Sequence, residues 1–543
     1  MSALTRVPED LATIARDVGS LLLMEAALMA VTGAVAVGFG EWYPATGILV
    51  ACVLTGATGL AARRGFAGAP APKMKHGMII AAGGWFAVAL FGALPFLLAA
   101  YVTPTAVTET FVPAGASYQS SLLYFRDPLH ALFESMSGWT GSGLTMAVHE
   151  PSLPRAIQWW RSLIQWVGGV GVIVLTVSIL ARPGSGSYAL YRSEAREERI
   201  HPSIISTVRT VWKLVVAYTL LGAVMLVVAI RASDYGAGLP LWEVGWQALN
   251  HAMTGLTTGG FSVTDNSIAT YGSPLVETVL LPIMTLGAIA FPIHYAVLHD
   301  RDYSQLWRDV QTRWLLVLLV AGAAVLAIQN LRVLTDAFEG TWRALPAVGL
   351  SAAEVDAVRD STFQFVSALT CTGFQSAPIG GWGEGSKVLV SGAMVLGGAA
   401  GSTVGGIKII RGYLVARGIR WQLSRVFLPA SAVVTGRIGD RRLGRAEMER
   451  EFAEAAVVSM LWLLLLVAST LVMVNFAGAE FTLGDALFEV ASAQGNVGLS
   501  SGITGPGMEP ILEAMFLFNM WIGRLEIIPI LVFIRAAIWG LNP

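Results

Sequence analysis

Four short stretches of this chain share a pattern of small and polar residues that closes on a glycine. The closing glycines, Gly143, Gly260, Gly373 and Gly498, are separated by 117, 113 and 125 residues. Glycine lets the backbone adopt angles that other residues avoid and approach a neighbour closely. Four such loops at similar intervals predict a repeat whose loops meet around one axis. Backbone carbonyl oxygens presented there are the groups that replace water around a dehydrated alkali cation.

We define each glycine loop as the four residues that end in its glycine, and number the loops 1 to 4 in chain order. The threonine and serine hydroxyls in these loops are suited to supporting the backbone or to coordinating an ion, and Cys371 is expected to be a small filler. The alternative is simple packing, because Gly, Ser and Thr are common at membrane helix interfaces. The candidate ion-binding residues are Thr140, Gly141, Ser142, Gly143, Thr257, Thr258, Gly259, Gly260, Thr370, Cys371, Thr372, Gly373, Gly495, Asn496, Val497 and Gly498.

The composition is that of a membrane protein. Of 543 residues, 55% are hydrophobic and 13% charged, and the mean hydropathy is +0.63; soluble domains carry about 25% charged residues. With a net charge of −1, the chain has no positive electrostatic field that would attract nucleic acid. Two cysteines exclude a disulfide framework, and we find no nucleophile–base pair or metal-ligand spacing, so no enzyme is indicated.

Ten stretches are long enough to cross a bilayer core of about 30 Å. Between them lie four segments, near 127–140, 242–256, 360–371 and 484–495, that span only about 20 Å as helices and are expected to enter and return. The fold class is therefore an all-α integral membrane protein with four tandem repeats of span, re-entrant helix and span. The spans lie near 19–39, 44–62, 78–100, 157–181, 209–231, 274–298, 313–330, 385–410, 453–476 and 510–535.

The first two spans stand outside the repeats, which are expected to be arranged with pseudo-fourfold symmetry. The predicted domains are a two-helix extension at 1–76 and pore repeats at 77–206, 207–311, 312–450 and 451–543.

Basic residues set the orientation. With a cytoplasmic N-terminus, 25 of them fall in inside loops and seven in outside loops. This positive-inside asymmetry predicts that both termini are cytoplasmic and that all four glycine loops return from the outer face.

A glycine-rich stretch, which we call the 397–406 loop, interrupts the eighth span. It holds five glycines in ten residues, each of which costs a helix about 1 kcal/mol, so we expect the span to break there. The alternative is close helix packing. A phosphate-binding loop is excluded, because no Gly-Lys-Ser/Thr follows. The candidate gate residues are Gly397, Gly398, Gly401, Ser402, Thr403, Gly405, Gly406, Lys408 and Arg524.

Charged residues within spans are costly and usually functional. Arg524 lies inside the last span, where it either faces a cavity or pairs with Glu526 or Glu489. Arg161 is expected to form a structural pair, and Glu134 and Glu489 are expected to satisfy backbone amides.

Several stretches resemble the TrkH/TrkG/KtrB superfamily of potassium transporters, most closely its TrkH-type members, which also carry two additional N-terminal spans. They are Trp160-Arg161-Ser162 with Gln165-Trp166-Val167-Gly168-Gly169, Gly259-Gly260-Phe261-Ser262, Gly397 to Arg411, and Gly523-Arg524-Leu525-Glu526.

The resemblance implies that each repeat contributes one selectivity glycine to a potassium pore. Related plant transporters that prefer sodium carry serine at the position of Gly143, so glycine there implies potassium. It also implies that the 397–406 loop obstructs the pore until it moves, and that Arg524 faces the cavity and raises the barrier to cations. Lys408 either acts similarly or reaches the cytoplasmic surface. The sequence departs from the family in having more glycine in loops 1 and 2.

The same resemblance implies a bacterial cytoplasmic (inner) membrane protein that forms homodimers. Its basic segments at 182–209 and 411–450 are expected to dock a TrkA-like cytosolic regulatory protein that binds nucleotides, or to contact anionic lipid. The chain itself carries no nucleotide-binding signature, and K⁺ is the transported ion.

Other functions stay open from the sequence. A symporter that couples potassium to sodium or protons is the main alternative. A non-conducting scaffold and a membrane-embedded enzyme are the alternatives from other classes.

Overall fold

The computed structural model describes residues 8–180, 204–338, 340, 344–345, 349–429, 435–438, 441–525 and 527–541. The helices are α1 (Glu9–Gly38), α2 (Trp42–Gly65), α3 (Met74–Gly92), α4 (Leu94–Val102), α5 (Pro128–Thr140), α6 (Arg155–Leu180), α7 (Ile204–Arg231), α8 (Leu241–Leu256), α9 (Pro274–Ala288), α10 (Phe291–Leu298), α11 (Val310–Arg332), α12 (Ala352–Leu369), α13 (Glu384–Val395), α14 (Ile409–Arg425), α15 (Arg445–Phe476), α16 (Leu483–Gly495), α17 (Pro510–Leu525) and α18 (Ile527–Trp539). Shorter helical turns lie at Thr105–Thr108, Glu109–Phe111, Ser121–Arg126, Glu150–Ser152, Asp234–Ala237, Ser267–Tyr271, Gln305–Arg308 and Ile379–Gly381.

The helical fold class is confirmed, with one small addition. Strand β1 (Thr435–Ile438) pairs antiparallel with β2 (Arg441–Gly444). This two-stranded hairpin lies in the basic 411–450 segment, which otherwise holds α14 and the start of α15.

Six helices in the described ranges are long and apolar enough to cross a membrane, or eight if each of two bent pairs forms one span. The remaining two of the ten predicted spans correspond to α6 and to the interrupted segment from α13 to α14. The N-terminal pair α1 and α2 packs closely through Gly19 and Gly59, where a Cβ on either residue would come within 2.8 Å of the other's carbonyl oxygen. Small residues permit this approach between membrane helices.

Each predicted short segment is a helix that stops at its glycine loop. They are α5, α8, α12 and α16, with 13, 16, 18 and 13 residues. Side chains mark three of the starts: Asp127 accepts from the amide of Leu129, and Ser351 and Thr482 form capping boxes with Glu354 and Asp485. Helix α12 begins at Ala352, earlier than the predicted residue 360, because its cap lies at Ser351.

The break predicted in the span at 385–410 is confirmed. Helix α13 ends at Val395 and α14 begins at Ile409. The chain closes the gap through a bridge in which Gly397 N–H donates to Ile407 O (2.8 Å) and Ile407 N–H donates to Val395 O (2.9 Å). The two ends of the 397–406 loop are therefore hydrogen-bonded to each other, and α13 and α14 continue from the same place in the protein.

Two other predicted spans, 274–298 and 510–535, are not continuous helices. Helices α9 and α10 meet at 107°, and the α17–α18 pair is bent as well. Pro292 follows the first bend and cannot continue the preceding hydrogen-bond ladder. The amide of Phe291 instead donates to Gly401 O in the 397–406 loop (3.1 Å), so the two breaks support each other.

Candidate functional site

The four glycine loops have one backbone design. In each, the amide of the residue before the glycine donates to a carbonyl five residues earlier in the short helix. These bonds join Ser142 to Ser137 (2.8 Å), Gly259 to Thr254 (2.8 Å), Thr372 to Ser367 (2.8 Å) and Val497 to Ser492 (2.9 Å). This is the hydrogen bond of a Schellman helix end. All four helices therefore aim their C-terminal ends, the negative poles of their dipoles, into the loops.

Left-handed backbone recurs at two positions of each loop. The second position is Gly141, Thr258, Cys371 or Asn496, with φ between 49° and 68°, and the closing glycines have φ of 79°, 75°, 82° and 100°. Three of the second-position residues are not glycine, so the backbone is strained where the loops turn. Such strain persists only where the surrounding structure fixes it, which indicates a tightly determined site.

The closing glycines form a closed ring, with each loop against the next. A Cβ on Gly143 would overlap Gly259 O of loop 2, and one on Gly260 would overlap Thr372 O of loop 3. A Cβ on Gly373 would overlap Val497 O of loop 4, and one on Gly498 would lie 2.5 Å from Ser142 O of loop 1. No side chain fits at these four positions. The structure thus brings the predicted residues of all four loops together around one centre.

The closing glycines have free carbonyl oxygens. No hydrogen bond among the described residues ends on the carbonyl of Gly143, Gly260, Gly373 or Gly498. Buried carbonyls are usually paired. Gly260 and Gly373 are buried and Gly143 and Gly498 are half-buried, so four unpaired carbonyls on one ring are suited to binding a cation.

The hydroxyls of the loops support the backbone. Thr140 donates to Met136 O (2.6 Å) and pairs with Ser142 (2.9 Å). Thr370 donates to Val366 O (2.7 Å) and pairs with Thr372 (2.8 Å) in the same way. Of the two roles predicted for these groups, the geometry favours support.

The segment that follows each closing glycine is hydrogen-bonded to a buried polar side chain of the short helix. In every case this side chain lies six positions before the first residue of the glycine loop. Glu134 accepts from Met146 N–H (2.9 Å), and Glu489 accepts from the amides of Ser501, Gly502 and Ile503. His251 bonds to Ser262 (3.0 Å). Gln364, with its oxygen turned toward them, accepts from Ser376 N–H and Ala377 N–H. The expectation that Glu134 and Glu489 satisfy backbone amides is confirmed.

Arg161 joins the first two loops, and its predicted structural pairing is confirmed. Its guanidinium pairs with Glu134 (2.7 Å), donates to Ser262 O (2.7 Å) and lies 4.2 Å from the ring centre of Phe261. It is 1% exposed and Glu134 is fully buried, so this ion pair is part of the interior.

The 397–406 loop contacts the same assembly where the short helices end. Thr403 bonds to Thr258 of loop 2 (2.9 Å), and a Cβ on Gly405 would lie 2.8 Å from Asn496 of loop 4. Gly401 and Gly406 have φ of 80° and 67°. The loop is fixed to α9 by Ala399 and Thr403, whose amides donate to Ala288 O and Gly287 O (both 3.2 Å).

Arg524 connects this loop to the first repeat. Its guanidinium donates to Thr403 O (2.6 Å) and to Gly168 O and Gly169 O of α6 (both 3.1 Å). It is 5% exposed, and within the described ranges no carboxylate lies at ion-pair distance from it. Glu489 accepts hydrogen bonds from the segment after loop 4, so it is not the partner of Arg524. Glu526 lies outside the described residues. Lys408, at the other end of the loop, donates to Val404 O.

The sequence model of the TrkH family, described as "Cation transport protein", matches residues 76–540. This range contains every glycine loop and the 397–406 loop.

The chain belongs to the TrkH family of cation transport proteins.

Relatives of known name support this assignment. The chain is 32% identical over 461 residues to an uncharacterised cation transporter of Methanocaldococcus jannaschii, covering 85% of this chain and 82% of the relative. It is 27% identical over 478 residues to the Trk system potassium uptake protein TrkH of Salmonella typhimurium, covering 86% of each. The crystal structure of the potassium transporter TrkH from Vibrio parahaemolyticus shares the fold, with a TM-score of 0.76 at 23% identity over 97% of this chain and 99% of that one. This TrkH-family member is therefore a multi-pass membrane transporter, and its relatives are not enzymes.

The structural roles of Gln165, His251 and Gln364 were not predicted from the sequence. A signal for the last two was present, because polar residues recur six positions before each loop, at Glu134, His251, Gln364 and Glu489. Only the two acidic members of this set were singled out.

Replacing Glu134 by Ala should destabilise the protein more than any surface ion-pair change. It removes the carboxylate 2.7 Å from the buried guanidinium of Arg161 and, among the described residues, leaves only Glu150, at 3.9 Å, as a charged partner. We therefore expect a loss of about 3 kcal/mol. The measurement is the midpoint of thermal unfolding in detergent, with Glu454→Ala as control, because the Arg450–Glu454 pair is exposed on its arginine side. A midpoint for Glu134→Ala equal to that of the control would contradict a structural role for the pair.

Proposed function

We propose that this protein takes up K⁺ through a channel-like pore whose selectivity filter is the ring of four glycine loops. The observation that carries the proposal is the closed ring of four loops, whose closing glycines have carbonyls that accept no hydrogen bond within the described residues. Family membership and the potassium uptake proteins among the relatives support the choice of ion. The bound ion is cargo and not a resident cofactor.

The chemistry is replacement of water by backbone oxygen. A dehydrated cation loses the energy of its hydration shell, and carbonyl oxygens at the right distance restore it without a fixed negative charge. The converging C-terminal poles of α5, α8, α12 and α16 add favourable potential for a cation. Support from hydroxyls and from the buried polar residues keeps the oxygens in place, as a selective site requires.

The 397–406 loop is proposed as the gate. It contacts glycine loops 2 and 4 through Thr403 and Gly405, at the inner ends of the short helices. Arg524 holds it from α17 and places a buried positive charge beside the path, which raises the barrier to cations. Opening then requires that the bonds of Arg524 to Thr403, Gly168 and Gly169 break or move together.

Transport is proposed to follow the electrochemical gradient, which supplies about 2.3 kcal/mol per charge for each 100 mV. The alternative is a Na⁺- or H⁺-coupled symporter, and one residue favours the proton version. Glu25 of α1 is fully buried, and neither carboxyl oxygen makes a hydrogen bond of good geometry. It lies beside Gly92 and the ring nitrogen of Trp139, the residue before glycine loop 1. An unpaired carboxyl in this position is suited to carrying a proton.

The two mechanisms are separated by flux in liposomes. A channel-like pore carries Rb⁺ along its own gradient when no Na⁺ or H⁺ gradient is present, at the same rate in wild type and Glu25→Gln. A proton-coupled symporter carries protons in with Rb⁺ and moves Rb⁺ against its own gradient when a proton gradient is imposed, and Glu25→Gln abolishes both effects.

The proposed setting is the bacterial inner membrane, with both termini cytoplasmic and a homodimeric assembly. The positive-inside distribution supports the orientation, and the basic face of α14, with Arg417, Arg420 and Arg425, supports a contact on the cytoplasmic side; the inner membrane and the homodimer follow from the family resemblance alone. A TrkA-like cytosolic regulatory protein that binds nucleotides is the proposed partner of this face, where anionic lipid is the alternative contact. Co-purification with such a protein, lost when these three arginines become Gln, tests the partner.

Replacing Gly143 by Ser should weaken discrimination between K⁺ and Na⁺. The residue has φ of 79° and a Cβ there would overlap Gly259 O, so loop 2 must move away from the centre. The measurement is Rb⁺ flux relative to Na⁺ flux in liposomes. The matched control is Gly245→Ser in α8, where a Cβ meets no atom within 4 Å. An unchanged ratio in Gly143→Ser would contradict the assignment of the filter.

Replacing Arg524 by Gln should raise the resting flux of Rb⁺. It removes the buried charge and weakens the bonds that hold Thr403, while the amide keeps one donor. The control is Arg535→Gln, which removes an exposed charge eleven residues later. If both variants leak equally, or neither does, Arg524 does not control the gate.

A further inference from the structure

Glycine loop 2 is held by a side chain from a different repeat. Gln165 of α6 is fully buried. Its Nε2 donates to Gly259 O (2.6 Å), and its Oε1 accepts from Phe261 N–H (2.9 Å). One amide group therefore binds the backbone on both sides of Gly260, the closing glycine.

The other three loops are held differently. Loops 1 and 3 use their own hydroxyl pairs, Thr140 with Ser142 and Thr370 with Thr372. In loop 4, Asn496 donates to Ser142 Oγ (2.8 Å) and to Met520 O (2.9 Å).

Loop 2 has no side chain where loops 1 and 3 have Ser142 and Thr372, because that position is Gly259. Thr257, the counterpart of Thr140, donates only to Met253 O within the described residues (2.8 Å). The hydrogen bonds from Gln165, which belongs to a different repeat, therefore take the place of the missing hydroxyl pair.

Gly259 and Gln165 are sterically complementary. A Cβ on Gly259 would lie 2.5 Å from Cδ and 2.6 Å from Oε1 of Gln165. The backbone of Gly259 is not left-handed, so its torsion angles alone do not require glycine there. The additional glycine of loop 2 is explained by the space that the amide of Gln165 occupies.

The carbonyl of Gly259, to which Gln165 donates, is part of the ring. Gly259 O is the atom that a Cβ on Gly143 would overlap, and Gly259 C would lie 3.4 Å from that Cβ. Movement of Gly259 therefore changes the gap between loops 1 and 2 as well as the direction of the Gly260 carbonyl.

We propose that Gln165 is a specificity-determining positioning residue: its amide fixes glycine loop 2 around Gly260 in place of a hydroxyl pair, and ion discrimination depends on it. The inference rests on the proposed filter function, since it assigns a selectivity role to a residue that does not contact the ion.

The test compares Rb⁺ and Na⁺ flux through full-length protein in liposomes. Gln165→Met keeps the length of the side chain and removes both hydrogen bonds. Gln165→Glu keeps the acceptor for Phe261 and removes the donor to Gly259. The matched control is Gln158→Met on the same helix, where a buried amide donates to Glu150 O and Leu153 O, away from the loops.

We expect Gln165→Met, which loses both hydrogen bonds, to lower the Rb⁺/Na⁺ flux ratio at least tenfold, because the loss of a single buried hydrogen bond corresponds to about that factor, and Gln165→Glu to lower it as well. Gln158→Met should retain the wild-type ratio at a similar loss of thermal stability. A ratio within twofold of wild type in Gln165→Met, or an equal fall in Gln158→Met, would overturn the proposal.

A second-site variant separates positioning from general damage. Gln165→Ala should lose selectivity, and the double variant Gln165→Ala/Gly259→Ser should regain part of it, because the new hydroxyl can pair with Thr257 as Ser142 pairs with Thr140. No recovery would overturn the claim that Gln165 replaces a missing hydroxyl pair.

Failure of the two proposals can be told apart. Wild-type protein without preference for Rb⁺ over Na⁺ contradicts the proposed function. Wild-type protein with that preference, retained in Gln165→Met, contradicts only the role of Gln165.

Discussion

The structure depends on the close approach of the backbones of the four glycine loops. Each closing glycine meets a carbonyl of the next loop at a distance that leaves no room for a Cβ. The ring therefore closes only if all four short helices end at the same level and turn in the same way. The repeated Schellman bond sets that ending, and the left-handed residues set the turn. The positions of the surrounding spans follow from the need to hold four helix ends at one centre.

The ring is nearly symmetrical in its backbone but not in its supports. Hydroxyl pairs hold loops 1 and 3, Gln165 holds loop 2, and Asn496 holds loop 4. Arg161 and Arg524 add contacts that cross between repeats. A single chain permits this, because each loop can have its own support while the backbone oxygens stay in place. It also lets one repeat carry the 397–406 loop, which the other three lack in the described residues.

The parts of the fold that the sequence predicted are those encoded locally. Glycine spacing located the four loops, and five glycines in ten residues located the break between α13 and α14. The bend between α9 and α10 was not predicted, because its free amide at Phe291 is satisfied by Gly401, more than a hundred residues away. For the same reason Gln165 was noticed only as part of a family stretch: its partners lie in the next repeat. The carboxyl of Glu25 was missed although it lies inside the first predicted span, at 19–39; the structure adds that it is fully buried beside Trp139.

The most direct test is to locate the ion. Crystals grown with Rb⁺ in place of K⁺, or soaked in it, give an anomalous signal at each bound cation. The account predicts a peak on the axis of the ring, at coordinating distance from the carbonyl oxygens of Gly143, Gly260, Gly373 and Gly498. Rb⁺ peaks only at surface carboxylates, with no signal at the ring, would contradict it.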